Sequence, residues 1–319
     1  MRITLLLLVA VLAVPACASL DEPAPDIELS APDVGCGGCY VVNAALAGAG
    51  SSLFVGGYTD LTERGVVRRF ERGAWKTLTN SESLGGVTQL WATERELYVA
   101  ALGGVHRLDP QTHELTQLEK QGRIVWAAGV DRPAVFDAGV AHFFDGDGWV
   151  DEPLPIEAPR VVTGSARSNL WVLGQDGAIA HSSGDAFTSL DEQPPDAPND
   201  IWAEGDTLFA VSGDDQGRGK TGPGAILRWS EDHWQVLKEA PHDALLGVAS
   251  AGPDRVYAVG ATAEDGEAHP LVWRFDGTRW ARRVITTRSV FLWDVFCDSN
   301  GACHAAGTDN TFLNLDDLD

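Results

Sequence analysis

The sequence predicts an all-β chain built from one four-stranded unit that is repeated, and two observations carry this prediction. First, an aromatic residue and a tryptophan flank four polar or turn-forming residues in FERGAW (70–75), FDGDGW (144–149), WSEDHW (229–234) and FDGTRW (275–280). If those four residues form a hairpin loop, the two aromatic side chains face each other across the strand pair. Second, the expected fourth strands begin about 34 to 47 residues apart, at Trp75, Leu115, Trp149, Phe187, Trp234 and Trp280.

A period of about 40–50 residues with four strands in each unit is typical of a β-propeller. The six complete units run roughly over 40–80, 87–120, 123–156, 160–193, 199–239 and 245–286. A seventh unit begins near residue 289 and has three strands but no fourth. The segment 27–34 lies just ahead of the first unit and could supply that strand. We therefore predict seven four-stranded blades closed by an N-terminal strand.

The repeats resemble those of bacterial secreted and lipoprotein β-propellers, related to degenerate Kelch-type and sialidase-type repeats. The resemblance rests on second strands such as ELYVAA (96–101) and RVYAVG (255–260), and on third strands such as GVVRRF (65–70) and PLVWRF (270–275). It covers about 36–315. The Kelch double glycine does not recur, and the sialidase aspartate box is only partly matched. The resemblance therefore implies a fold and leaves the function open.

Charge narrows the class of partner. The chain has 319 residues and a formal net charge of −23, which makes nucleic acid and anionic lipid surfaces poor partners for its body. We expect a monomer that binds an envelope protein or a glycan.

The N-terminus has the character of a targeting segment. An apolar run, ITLLLLVAVLAV (3–14), follows Arg2 and is too short to span a bilayer. VPAC (14–17) resembles a lipobox, which predicts a signal peptide over 1–16 and a lipid on Cys17. The Pro-rich acidic stretch after it, within 17–35, suits a tether, and 36–319 forms the propeller. These features predict a lipid-anchored protein of the cell envelope, periplasmic or surface-exposed. Cleavage by an ordinary signal peptidase at Ala16-Cys17-Ala18 is the alternative and would give a soluble secreted protein.

Four cysteines remain if Cys17 carries a lipid. Cys36 and Cys39 lie in CGGC, and Cys297 and Cys303 lie in CDSNGAC. In an exported chain, an even number of cysteines favours disulfides over a metal site or free thiols. We expect the pairs Cys36–Cys39 and Cys297–Cys303, because each pair is close in sequence and cross-pairing would have to span the sheet.

No catalytic motif is present. The sequence lacks GxSxG and HExxH, and GRGKTG (217–222) lacks the leading glycine and the helix of a phosphate-binding loop. Asp145 and Asp147 in FFDGDGW could hold Ca²⁺, although Asp and Gly at a hairpin turn serve backbone geometry more often. We therefore expect no catalytic residue, no resident metal and no cofactor.

Long links suggest a binding sector. The links between second and third strands lie on the same face of a propeller as the links between blades, and most are short here. Three are long, in blades one (58–65), five (214–224) and six (261–270). Loops on a rigid scaffold are common binding sites. The candidate binding residues are Tyr58, Asp60, Glu63, Arg64, Asp214, Asp215, Arg218, Lys220, Glu264, Asp265, Glu267 and His269.

The sequence thus favours a non-enzymatic binding or scaffold lipoprotein that recognises its partner through these loops. The alternative is a carbohydrate-active propeller enzyme of the glycosidase or lyase type, with carboxylates in the central funnel. The two hypotheses can be distinguished at the mouth of the channel, because an enzyme should have carboxylates that converge in a deep funnel and a scaffold should have a broad rim.

Overall fold

The computed structural model shows a ring of seven β-sheets, which confirms the predicted all-β, seven-bladed propeller. Inner strands of successive sheets pack side by side, and the last packs against the first. The structure describes residues 27–28, 41–50, 52–59, 64–71, 74–184, 186–205, 207–213, 223–264, 267–286 and 291–318, with backbone alone at 27–28, 41–44, 264 and 286.

Each of the first six blades has four antiparallel strands, ordered from the channel outwards. A two-residue strand, β1 (Ile27–Glu28), comes first in the chain. Blades one to three contain β2 (Val41–Ala49), β3 (Ser52–Thr59), β4 (Gly65–Glu71), β5 (Ala74–Ser81), β6 (Val87–Ala92), β7 (Leu97–Ala101), β8 (Gly104–Leu108), β9 (Leu115–Gln117), β10 (Ile124–Ala127), β11 (Pro133–Asp137), β12 (Val140–Phe144) and β13 (Trp149–Pro153).

The remaining blades follow the same order, and the seventh has three strands among the described residues. Their strands are β14 (Pro159–Ala166), β15 (Asn169–Gly174), β16 (Ile179–Ser182), β17 (Phe187–Ser189), β18 (Pro198–Glu204), β19 (Thr207–Ser212), β20 (Gly224–Ser230), β21 (His233–Ala240), β22 (Asp243–Ser250), β23 (Val256–Glu264), β24 (Glu267–Phe275), β25 (Trp280–Thr286), β26 (Leu292–Cys297), β27 (Cys303–Gly307) and β28 (Phe312–Asn314).

The repeated aromatic pairs occupy the hairpins that the sequence predicts. Each aromatic residue is the cross-strand partner of its tryptophan. The ring centroids lie 5.2–5.4 Å apart in the pairs Phe70–Trp75, Phe144–Trp149, Trp229–Trp234 and Phe275–Trp280. Two of the turns between them are held by an aspartate side chain: one Asp145 oxygen accepts the N–H groups of Asp147 and Gly148 at 3.0 Å, and Asp276 Oδ1 accepts those of Thr278 and Arg279 at 3.0 Å. The pattern therefore marks the junction of third and fourth strands.

The short strand β1 has a different partner from the one expected. It pairs in parallel with β25, Ile27 opposite Ile285 and Glu28 opposite Thr286, at the outer edge of blade six. The sequence pattern placed it on blade seven. Beyond β28, a 3₁₀ turn (Leu315–Leu318) buries Leu315 and Leu318 among residues of blades six and seven. The sequence predicts an acidic tail at the C-terminus, but two of its apolar side chains pack against blades six and seven.

The cysteine pair of the last blade forms the predicted disulfide. Cys297 and Cys303 are cross-strand partners at the ends of β26 and β27 and are bonded to each other. Both side chains are buried, and Cys303 is fully covered. The other predicted pair, Cys36 and Cys39, and the predicted lipidation site, Cys17, lie outside the described residues.

The core consists of layers between neighbouring blades. Second strands are almost entirely buried, as in β7 and β15, because each is covered by a blade on both faces. The layer between blades three and four joins Trp126, Phe136, Phe143 and Leu170 with Phe187 at its edge. Burial of these faces against neighbouring blades closes the ring and fixes the geometry of the channel.

Candidate functional site

One face of the ring carries the links between second and third strands together with the links between blades. The two kinds of link touch: a Cβ on Gly65 would lie 2.2 Å from the carbonyl oxygen of Gly85, and one on Gly103 would lie 2.1 Å from that of Ser83. Only glycine allows so close an approach. We call this surface the loop face.

Seven of the predicted binding residues lie outside the described residues, namely Asp60, Glu63, Asp214, Asp215, Arg218, Lys220 and Asp265. The described ones fall into two groups on either side of blade seven. Tyr58 is half-buried on β3, and Arg64 donates from Nε to Glu82 Oε1 at 3.1 Å. Glu267 is exposed and His269 half-buried on β24. No described hydrogen bond joins the two groups, so a single sector remains a prediction.

The expected loop of blade six is instead a hairpin. Strand β23 continues to Glu264 and β24 begins at Glu267, with Thr262 opposite His269 in register. The polar residues of ATAEDGEAHP (261–270) suggest a loop, but the alternation of small and polar residues in this segment is also compatible with two paired strands. The hairpin extends both strands beyond Leu271 and Gly260 and is the longest such link described on the loop face.

Sequence reasoning missed Leu102, the most exposed large apolar side chain that is described. It is 77% exposed and occupies the two-residue turn between β7 and β8. A Cβ on Gly86 would meet Tyr58 Cδ1 at 3.5 Å and Leu102 Cδ1 at 3.6 Å, so the two side chains flank one glycine of the loop face. The sequence does contain one signal for this exposed side chain, which is a leucine at a tight turn in ALGG (101–104).

A channel runs along the inner strands and encloses a cavity of about 260 Å³. Six of the seven inner strands carry a β-bulge near their first residues, close to the loop face. A bulge redirects the extra side chain. Five of these bulges place their extra residue on the channel wall: Thr88, Arg160, Asn199, Leu246 and Trp293.

The residue after the bulge connects neighbouring blades. Gln89 Oε1 accepts the N–H of Val125 at 2.9 Å. Asp200 Oδ2 accepts that of Val248 at 2.8 Å, and Asp294 Oδ2 accepts that of Leu46 at 2.7 Å. The last bond joins blade seven to blade one. These side chains therefore satisfy inner-strand donors that have no partner within their own sheet.

Asp200 and Asp294 are the channel's two carboxyl groups. Burial raises the pKa of Asp200 to about 6, against the opposing effect of its backbone hydrogen bonds. Burial and then the charge of Asp200 raise the pKa of Asp294 to about 8. Arg160 donates to the carbonyl oxygen of Pro198 and acts electrostatically on Asp200, while burial lowers its own pKa. Asp294 therefore holds a proton through much of the neutral range.

Tryptophan side chains form a second series along the channel. The indole N–H of Trp91 donates to Ala127 O at 3.0 Å, and that of Trp126 donates to Gly164 O at 3.1 Å. Trp202 occupies the same position in blade five, yet its buried indole nitrogen has no hydrogen-bond partner, and neither has that of Trp293. Both nitrogens are covered by protein atoms, so the two tryptophans line the channel with their carbon atoms.

Within the described ranges, no group of three or more His, Cys, Asp or Glu residues is arranged to hold a metal ion. The described part of the chain also contains no helix with the length and apolar character needed to cross a membrane.

Comparisons with known proteins identify the architecture. No protein-family model matches the chain, and no curated protein matches it. YCF48 bound to D1 peptide has a TM-score of 0.61 and 12% identity, covering 92% of this chain and 96% of that one. YCF48 from Cyanidioschyzon merolae has a TM-score of 0.62 and 13% identity, covering 88% and 97%.

A bacterial structure is similar as well. The extracellular domain of the two-component system BT4673 from B. thetaiotaomicron has a TM-score of 0.63 and 10% identity, covering 90% of this chain and 39% of that one. The TM-scores show that these proteins share the seven-bladed β-propeller fold with this chain. Because the identities are low, the function has to be inferred from the chain's own residues.

Proposed function

We propose that this protein is a non-enzymatic binding or scaffold lipoprotein of the cell envelope that recognises a protein partner through the loop face. The observation that carries the proposal is Leu102, which is 77% exposed on a rigid turn beside Tyr58. Folding does not require this exposure, and an apolar pair on the loops of a rigid scaffold suits a partner surface. The solved complex of a similarly folded protein with a peptide supports a peptide or protein as the partner.

Replacing both Leu102 and Tyr58 by serine should abolish capture of the partner, because the apolar contacts at the centre of an interface carry most of its affinity. The measurement is crosslinking from envelope extracts to the full chain carrying Cys17→Ser, followed by quantitative mass spectrometry. Val236→Ser is the matched control, since Val236 is also exposed, at 51%, but lies on an outer strand. Partners retained by the double variant, or lost equally in the control, would refute a role for the loop face.

The anchor makes a separate prediction. We expect the wild-type protein in the membrane fraction with an acylated Cys17 as its first residue, because VPAC follows a twelve-residue apolar run. Cys17→Ser should move it to the soluble fraction without changing its unfolding transition. A wild-type protein that is soluble and begins at Ser19 would refute lipid anchoring and support secretion in soluble form.

One observation favours the alternative function, a carbohydrate-active enzyme: the channel contains Asp200 and Asp294. Against it, Asp294 accepts a backbone N–H on each oxygen, from Leu46 at 2.7 Å and Val295 at 2.8 Å. A carboxyl group held in this way has little freedom to act on a sugar. Hydrolysis of chromogenic glycosides that disappears in Asp294→Asn would support the enzyme.

A further inference from the structure

The channel has an unbalanced charge. Of the residues on its wall, Asp200, Asp294 and Arg160 are ionisable. Arg160 offsets the charge of Asp200, but among the described residues no positive group acts on Asp294, where the influence of Asp200 adds to the effect of burial. An added cation would therefore gain attraction from both carboxylates.

Aromatic groups line the same cavity. Trp202 lies edge-on to Phe296, with centroids 6.5 Å apart, and Trp293 stacks on Phe291 at 5.3 Å. The indole nitrogens of Trp202 and Trp293 are covered by protein atoms, so these two side chains present carbon surface to the cavity. Aromatic rings beside carboxylates are also a common setting for binding an ammonium ion.

We propose that the central channel binds a protonated primary amine between Asp200 and Asp294, with Trp202 and Trp293 beside it. The cavity of about 260 Å³ admits an alkylammonium group, whose carbon chain can lie against the aromatic side chains. The net charge of −23 would also draw a cation towards the protein. A protonated amine of this kind could come from a free small molecule or from a lysine side chain of a partner, since the bulged residues lie near the loop face.

Proton release provides a signature of this site. An ammonium ion binds most tightly when both carboxyl groups are ionised, and at neutral pH Asp294 is mostly protonated. Arg160 stays charged throughout, and the described part of the channel wall contains no histidine. Binding at pH 7 should therefore release protons, and affinity should rise by up to roughly tenfold per pH unit between pH 6 and 8.

The test is calorimetric titration of the full chain carrying Cys17→Ser with Nα-acetyl-lysine amide. We expect binding, proton release seen as different heats in buffers of different ionisation enthalpy, and at least a tenfold loss of affinity in Asp200→Asn and in Asp294→Asn. The neutral probe, acetylated also on Nε, should not bind. Asp298→Asn is the matched control, because Asp298 caps a turn of blade seven outside the channel wall.

Binding of the neutral probe, or affinity unchanged in both channel variants, would overturn the proposal, as would the absence of any binding at pH 8. Two further probes separate the sources of the amine. If n-pentylamine binds and the peptide Gly-Gly-Lys-Gly-Gly does not, the site serves a small molecule; if the peptide binds at least as well, it serves a partner's lysine. Failure of this site leaves capture through Leu102 and Tyr58 untouched, so the two ideas are tested separately.

Discussion

Replacing Trp126 by alanine is expected to lower the free energy of unfolding by about 4 kcal/mol, the range found when large buried aromatic side chains are truncated. Trp126 is 2% exposed and packs against Phe136 and Leu170 in the layer between blades three and four. Its indole also donates to Gly164 O, so the variant leaves a cavity and a buried carbonyl without its partner. The midpoint of thermal unfolding should fall by roughly 10 °C.

Two further variants separate packing from hydrogen bonding. Trp126→Phe retains most of the packing and loses the donor, so we expect a cost of about 1–2 kcal/mol. Trp280→Ala removes a half-buried tryptophan from the outer edge of the layer between blades five and six, where its partner is Phe275, and should cost about 1 kcal/mol. Equal costs for Trp126→Ala and Trp280→Ala, measured by denaturant unfolding, would show that the centre of an interblade layer contributes no more stability than its edge.

Much of the fold could be predicted because its signals are local. A hairpin with facing aromatics needs only six residues, and its recurrence at FERGAW, FDGDGW, WSEDHW and FDGTRW marks one junction in four blades. The disulfide Cys297–Cys303 was predictable for the same reason, since its cysteines lie six positions apart in the sequence. Local patterns fix strands and turns because the partners lie close along the chain.

The channel could not be predicted, because it depends on contacts between residues far apart in the sequence. The bond from Leu46 to Asp294 joins residues 248 positions apart. A bulge also changes which side chain faces the channel, and nothing in VFLWDVF shows that Trp293 is the extra residue. For β1, closeness in sequence to blade one gave no guide to its pairing with β25 of blade six.

Stability should fall as pH rises from about 5 to 8, and Asp294→Asn should remove part of that fall. The pKa of Asp294 is about 8 in the folded protein and near 3.8 when it is unperturbed. In that window the unfolded chain has released the proton and the folded protein still holds it, so each rise in pH favours unfolding. One carboxyl contributes at most about 1.4 kcal/mol per pH unit. Asp200, with a pKa of about 6, adds to the fall at the lower end.

Asparagine is neutral at every pH and can still accept the N–H of Leu46, so Asp294→Asn should preserve the link between blades seven and one. We expect the variant to match the wild type within about 1 kcal/mol at pH 5 and to exceed it by up to about 4 kcal/mol at pH 8, because the wild type loses at most about 1.4 kcal/mol per pH unit over that range. His106 and His304, whose pKa values burial lowers, make the opposite contribution near pH 6.

Those histidines are present in both proteins, so their effect cancels in the difference between variant and wild type. Denaturant unfolding followed by fluorescence at several pH values from 5 to 8.5 gives that difference directly. Asp137→Asn is the control here, because Asp137 is exposed at the end of β11 and lies outside the channel wall, so its difference from the wild type should stay small at every pH. If the Asp294→Asn difference is equally flat, Asp294 is already ionised in the folded protein. The charge on Asp294 would then be tolerated inside the ring, and its main role would be the hydrogen bond that joins the last blade to the first.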